Sequence, residues 1–113
     1  MGRTLQKVTY QRAKELMKKA RNGQRKLTGN TYLFLMPDNL SYGICYHRTT
    51  IIVIHPNNRY TLNSGGWRTV TTKQRMNNLA GAHVFQHDWQ WFYGDKNTPY
   101  SDHCTIDESG KLV

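Results

Sequence analysis

From Thr31 onward the apolar residues leave helical spacing and fall into short, dense runs. Tyr32-Leu33-Phe34-Leu35-Met36 is continuously apolar and stops at Pro37-Asp38-Asn39. That tripeptide favours a turn, because proline presets φ while Asp and Asn bond their own backbone. In the next run Tyr42, Ile44 and Tyr46 alternate with Ser41, Gly43, Cys45 and His47, the period of two that buries one face of a strand. Thr50-Ile51-Ile52-Val53-Ile54-His55 is β-branched almost throughout and predicts a third strand. Pro56-Asn57-Asn58-Arg59 turns it into Tyr60-Thr61-Leu62. Further on, His83-Val84-Phe85-Gln86 and Trp89-Gln90-Trp91-Phe92-Tyr93 predict a hairpin or two short strands.

Two stretches keep the helical period instead. Thr9 caps a helix predicted over Tyr10–Asn22 and ended by Gly23, with Ala13, Leu16, Met17 and Ala20 forming one narrow apolar stripe. Its other faces carry Arg12, Lys14, Lys18, Lys19 and Arg21, supported by a single Glu15–Lys19 pair. Residues 24–30, with Arg25 and Lys26, read as a polar loop. A second, short helix is predicted over Lys73–Ala80, with Thr71 or Thr72 as its cap and Gly81 as its C-terminal glycine. The expected fold is α+β: an antiparallel sheet of about four to six strands, an N-terminal amphipathic basic helix and a short second helix. Residues 1–113 form one domain in this reading. Its parts are a basic helix and loop (1–30), a sheet core holding the helix at 72–80 (31–93), and an irregular acidic tail (94–113).

Between the last apolar strand and the second helix stands Asn63-Ser64-Gly65-Gly66-Trp67-Arg68-Thr69-Val70-Thr71-Thr72-Lys73. Paired glycines allow a sharp turn or a close approach, and a helix start beyond them leaves N–H groups without intrahelical acceptors. Gly65, Gly66, Arg68, Thr72, Lys73 and Arg75 therefore read as an anion seat, with amides and cations converging on a phosphate or carboxylate. Trp67, too large to leave in water without reason, reads as the packing anchor of the loop. The bland alternative is a plain turn with a core tryptophan and solvated cations. The spacing is not G-x-x-x-x-G-K-[ST], so a nucleotide-triphosphate loop is not supported.

Charge changes the picture most. Residues 1–26 hold nine Lys and Arg against Glu15 alone, a net +8 of the chain's total +9. Residues 88–113 hold five acids against two lysines, a net −3. Such asymmetry points to an anionic partner for the N-terminal region, with Lys14, Lys18, Lys19, Arg21, Arg25 and Lys26 as its contacts. Only 37% of residues are apolar, but seven Tyr, three Trp and three Phe compensate for some of the missing core. No apolar run is long enough to span a bilayer and no signal peptide opens the chain, so membrane association is not expected. Gln6 stands where a myristoylation signal wants Ser or Thr. Two cysteines, Cys45 and Cys104, make no disulfide framework, which fits a reducing cytoplasm.

The runs Ile44-Cys45-Tyr46-His47-Arg48-Thr49-Thr50-Ile51-Ile52 and Leu62-Asn63-Ser64-Gly65-Gly66-Trp67-Arg68-Thr69-Val70-Thr71-Thr72-Lys73, continuing through Arg75-Met76-Asn77, resemble the middle of small proteins of tailed bacteriophages. The resemblance covers roughly residues 42–93 and leaves out the basic helix and the acidic tail. It implies a phage origin and expression in the host cytoplasm, and carries no activity with it.

Three chemistries compete for the remaining residues. His47, His55, His83, His87 and His103 with Cys45 and Cys104 invite a metal, and Cys45-x-His47 would share a strand face. Even so, no pair of ligand pairs has zinc-like spacing, and neither metal nor cofactor is expected. A small nuclease would use His47 and Arg48 around a phosphate with Asp88, Asp102 or His103 as partner, but its acids are scattered and no nucleophile is evident. Nucleic-acid binding draws on more independent features: the clustered cations, and Tyr42, Tyr46, Trp67, Trp89 and Trp91 as stacking surfaces. The leading expectation is a non-enzymatic phage accessory protein that binds DNA, RNA or another polyanion. The alternative is a protein-binding inhibitor of a host enzyme or defence factor, led by the acidic tail. No oligomeric state is implied.

Overall fold

The computed structural model describes residues 6–113. Arg3, one of the N-terminal cations, lies outside them. The strands are β1 (Gln24–Thr28), β2 (Thr31–Leu35), β3 (Tyr42–Tyr46), β4 (Thr49–Ile54), β5 (Tyr60–Leu62), β6 (Val84–His87), β7 (Gln90–Tyr93) and β8 (Cys104–Ile106). The helices are α1 (Tyr10–Leu16), continued by a 3₁₀ turn at Met17–Lys19, and α2 (Val70–Ala80). The fold is α+β. Six strands make one antiparallel sheet in the order β1-β2-β3-β4-β5-β8, and β6 and β7 pair separately as a hairpin.

Strand register explains which residues are inside. Leu33 pairs with Ile44, Ile44 with Ile52, Ile52 with Leu62, and Tyr60 with Ile106, so all of them share one face. Each is fully buried. A bulge in the β3–β4 ladder, between the pairs Ile44–Ile52 and Cys45–Thr50, leaves Ile51 unpaired and turns it into the core as well. Helix α2 covers this face with Thr72, Met76, Leu79 and Ala80, the stripe that a 3.6-residue period produces. Its Asn77 amide brackets β6, accepting from the Val84 N–H and donating to the Val84 carbonyl, both at 2.9 Å. Tyr60, fully buried in β5, donates its hydroxyl to the Val8 carbonyl at 2.9 Å and so pins the segment that leads into α1.

Several boundaries differ from expectation. Thr9 does cap α1, accepting from the Arg12 N–H at 3.1 Å, but the α-helix stops at Leu16 and the chain turns at Arg21–Gly23. Residues 24–28 are an edge strand rather than a loop. The second helix starts at Val70, earlier than expected, because Thr69 is the cap: its hydroxyl accepts from the Thr72 N–H at 3.1 Å. Gly81 ends it in the left-handed conformation, φ 68°. The region from Asp95 is not irregular throughout, since β8 joins the main sheet beside β5.

Three aspartates in loops hold hydrogen bonds that only a carboxylate can accept in full. Asp38 accepts from the backbone of Ser41 and Leu40, and Asp107 from Ser109 and Lys111. Those bonds hold both carboxyls below their usual value of 3.8. Burial pushes Asp102 the other way, but the hydrogen bonds from Ser64 and the charge of Arg68 outweigh it, so it too is lowered. A depressed carboxyl lends stability that is complete above its unfolded value and is lost as pH falls through its folded value. Urea midpoints recorded from about pH 6 down to about pH 2 should therefore hold steady at first and decline below roughly 3.8. A midpoint unchanged to the acid end would mean that these carboxyls titrate alike in folded and unfolded chains.

Candidate functional site

The meander places three connections at one end of the sheet. They are the β1–β2 turn at Gly29-Asn30, the β3–β4 turn at His47-Arg48, and the 63–69 loop that leads from β5 into α2. The His47 N–H donates to the Asn30 carbonyl at 2.8 Å, joining the first two. Gly65 joins the third: its φ is 63°, and a Cβ there would come within 2.6 Å of the Thr49 side chain. Both the conformation and the close approach require glycine.

Among these connections lies a groove of about 800 Å³. One part of its wall is Asn30 with Tyr46, His47, Arg48 and Thr49; the rest is Trp67, Thr69, Thr71 and Thr72. The Tyr46 and His47 rings sit 4.3 Å apart, and Arg75 lies over Tyr46 at 5.8 Å while its Nε donates to the buried Thr31 hydroxyl at 3.1 Å. His47 is the first residue of a two-residue hairpin loop and has φ 56°, a place usually taken by glycine. A ring-bearing residue there costs on the order of 1 kcal/mol or more, a strain that recurs at ligand sites.

Trp67 corrects the sequence reading. It is 70% exposed and anchors no core. The loop is closed instead by Asp102, whose carboxylate accepts from the Ser64 N–H at 2.8 Å and from the Ser64 hydroxyl at 3.0 Å. The Gly65 N–H goes to the Asn63 side chain, the Gly66 N–H to the Ser64 hydroxyl, and the Trp67 N–H to the Ser64 carbonyl. These amides, which the sequence left open to an outside anion, thus serve the chain's own acceptors. The first-turn amides of Val70 and Thr71 remain, as at any helix start, without intrahelical acceptors.

The expected anion-binding residues divide into three places. Thr72 lines the groove, Arg75 sits behind Tyr46, and Gly65 and Gly66 (φ 86°) shape the loop beside it. Lys73 is half-buried on α2. Arg68 turns away, lying over the Trp91 and Tyr100 rings at 5.7 and 5.2 Å. The buried Tyr100 hydroxyl has no partner in hydrogen-bond geometry among the described residues, yet it lies near enough to Asp102 for each to shift the other's titration. Lys14, Lys18, Lys19 and Arg21 are exposed on the α1 segment. Of these, Lys19 meets strand β1: Arg12, Lys19 and Arg25, with Glu15, line one hollow of about 250 Å³. Arg25, Lys26 and Arg12 line another of about 240 Å³.

Sequence reasoning missed Asn30, Thr49 and Thr69 as groove residues. They come from two connections and the first residue of β4, and only the topology makes them neighbours. The residues of the nuclease reading are dispersed: Asp88 pairs with His87 at 3.2 Å in the β6–β7 turn, and Asp102 is held by Ser64. Cys45 and His47 do not share a strand face, since His47 has left the strand. Among the described residues, no three His, Cys, Asp or Glu side chains gather as metal ligands.

The described chain is α+β, with a groove built from turns at one end of its main sheet. The chain belongs to the Kyanoviridae Gp96 protein family, whose pattern matches residues 5–108, and is therefore a phage protein. The match takes in α1 and β8, well beyond the stretch that carried the phage resemblance. No curated protein and no solved structure matches the chain significantly. Among the described residues, no helix is long and apolar enough to cross a membrane.

Proposed function

We propose that this protein is a phage accessory factor that binds nucleic acid or another polyanion in the host cytoplasm, without catalysing a reaction. One observation carries the reading: strand β1 sets Arg25 beside Arg12 and Lys19, and Lys26 beside Arg12, so that cations from two elements become neighbours, with Glu15 the one acid among them. Such a cluster neutralises backbone phosphates and releases their counterions, which gives affinity without base preference. The candidate contacts are Lys14, Lys18, Lys19, Arg21, Arg25 and Lys26, with Thr72 at the groove and Arg75 behind it.

A second reading, a protein-binding inhibitor, is favoured by Trp89. It is 93% exposed in a two-residue hairpin turn where both Asp88 (φ 50°) and Trp89 (φ 69°) adopt positive φ. Exposed tryptophans of that kind serve as anchors at protein interfaces. The acidic tail supports this reading less, because Asp102 and Asp107 are taken up by internal hydrogen bonds. Capture from host lysate separates the two. Nucleic acid should copurify and be released by nuclease or by salt. A host protein that stays bound after nuclease and is lost with Trp89→Ala would move the assignment to the inhibitor.

A further inference from the structure

We propose that the groove between the β3–β4 turn and the start of α2 holds one nucleotide unit with an unpaired base, the base on Trp67 and its phosphate at Arg48. The proposal rests on the nucleic-acid reading and deepens it. Trp67 packs into no core, yet its loop is fixed, by Asp102 on one side and by the approach of Gly65 to Thr49 on the other. A large aromatic ring carried into solvent by a fixed loop at the wall of a groove offers a stacking surface for a second plane. Every base offers one, and base–aromatic stacking tolerates any sequence.

The chemistry of the remaining wall suits a nucleotide. Arg48 is exposed at the rim, Arg75 adds a second guanidinium behind Tyr46, and no carboxylate lines the groove among the described residues. Charge complementarity therefore selects an anion. The hydroxyls of Thr49 and Thr71 and the amide of Asn30 offer both donors and acceptors for a sugar or a base edge. A volume of about 800 Å³ accommodates a nucleotide and lies within the range of small-molecule sites. The strained His47 holds Arg48 at the rim, and strain of that sort recurs where a ligand must be met. In a duplex the faces of the bases are already stacked, so the groove discriminates against paired strands.

The unit could come from a single strand or from a free nucleotide, and binding assays distinguish them. Labelled oligothymidylate of about twelve nucleotides, the same strand paired with its complement, and AMP are titrated against the full chain. Because Trp67 is exposed, Trp67→Ala should melt like the wild type. It should weaken single-strand binding roughly tenfold and leave duplex binding unchanged, with Trp67→Phe restoring most of the loss. Arg48→Ala should lower the single-strand salt slope by about 0.7. Binding of AMP alone would keep the groove as a free-nucleotide site while overturning the polyanion reading. If the wild type binds strands with a steep salt slope but Trp67→Ala changes nothing, or weakens single strand and duplex equally, the groove proposal falls and the polyanion reading stands. Binding of none of the three probes overturns both.

Discussion

Trp91→Ala is expected to remove about 3–5 kcal/mol of stability, whereas Trp67→Ala should change it by less than about 0.5 kcal/mol. The two tryptophans differ widely in burial: Trp91 is 2% exposed and Trp67 is 70% exposed. Trp91 packs edge-on against Tyr100 with ring centroids 5.4 Å apart, and the Arg68 guanidinium lies over its ring at 5.7 Å. Truncation would empty a ring-sized volume beneath the hairpin, and the surrounding β6–β7 and 100–102 segments are too constrained to collapse into it fully. Since domains of this size are stable by only about 5–15 kcal/mol, such a loss takes a large share of the total. Urea unfolding of both variants measures the contrast. Equal losses would show that Trp67 carries packing that its exposure denies.

Replacing Lys14, Lys18 and Arg21 together by Glu should weaken nucleic-acid binding by one to two orders of magnitude at roughly 50 mM salt. Lys14 lies on α1, Lys18 in the 3₁₀ turn and Arg21 in the turn beyond it, and each is exposed. Every phosphate that the variant no longer neutralises should also lower the slope of log affinity against log salt by about 0.9, because fewer counterions are released. The fold should survive, since this helix packs through Ala13 rather than through its cations. The measurement is a titration repeated across salt concentrations. A weaker complex with an unchanged slope would place the cations outside the interface and charge the loss to some indirect effect.

The central strands and the second helix were legible because their side chains repeat at two or 3.6 residues. Leu33, Ile44, Ile52 and Leu62 are in register as their periodicity implied, and the Thr9 and Gly81 caps stand where short-range chemistry puts them. Strand β1 was not legible: Gln24-Arg25-Lys26-Leu27-Thr28 has one apolar side chain, and an edge strand needs no alternation when one neighbour supplies its ladder. The three-residue β8 is too short to show a period. The misplaced role of Trp67 has a different cause. The partner that closes its loop, Asp102, is 38 residues from Ser64, and no local pattern announces that hydrogen bond. The groove was hidden for the same reason, since turns far apart in sequence meet only after the sheet has formed.

The two edges of the six-stranded sheet share a property that matters for a protein made in a crowded cell. Unpaired strand edges are templates for another chain, and they seed aggregation unless something blunts them. Along β1 the blunting is done by Arg25 and Lys26, whose charges repel an approaching copy. Along β8 it is done by the chain itself: residues 111–113 fold back, with the Val113 N–H on the Thr105 carbonyl at 3.0 Å and the Asp107 N–H on the Lys111 carbonyl at 2.8 Å. The cations of β1 therefore keep sheets from pairing even in the absence of any ligand, and changing Arg25 or Lys26 to apolar residues trades colloidal stability as well as charge.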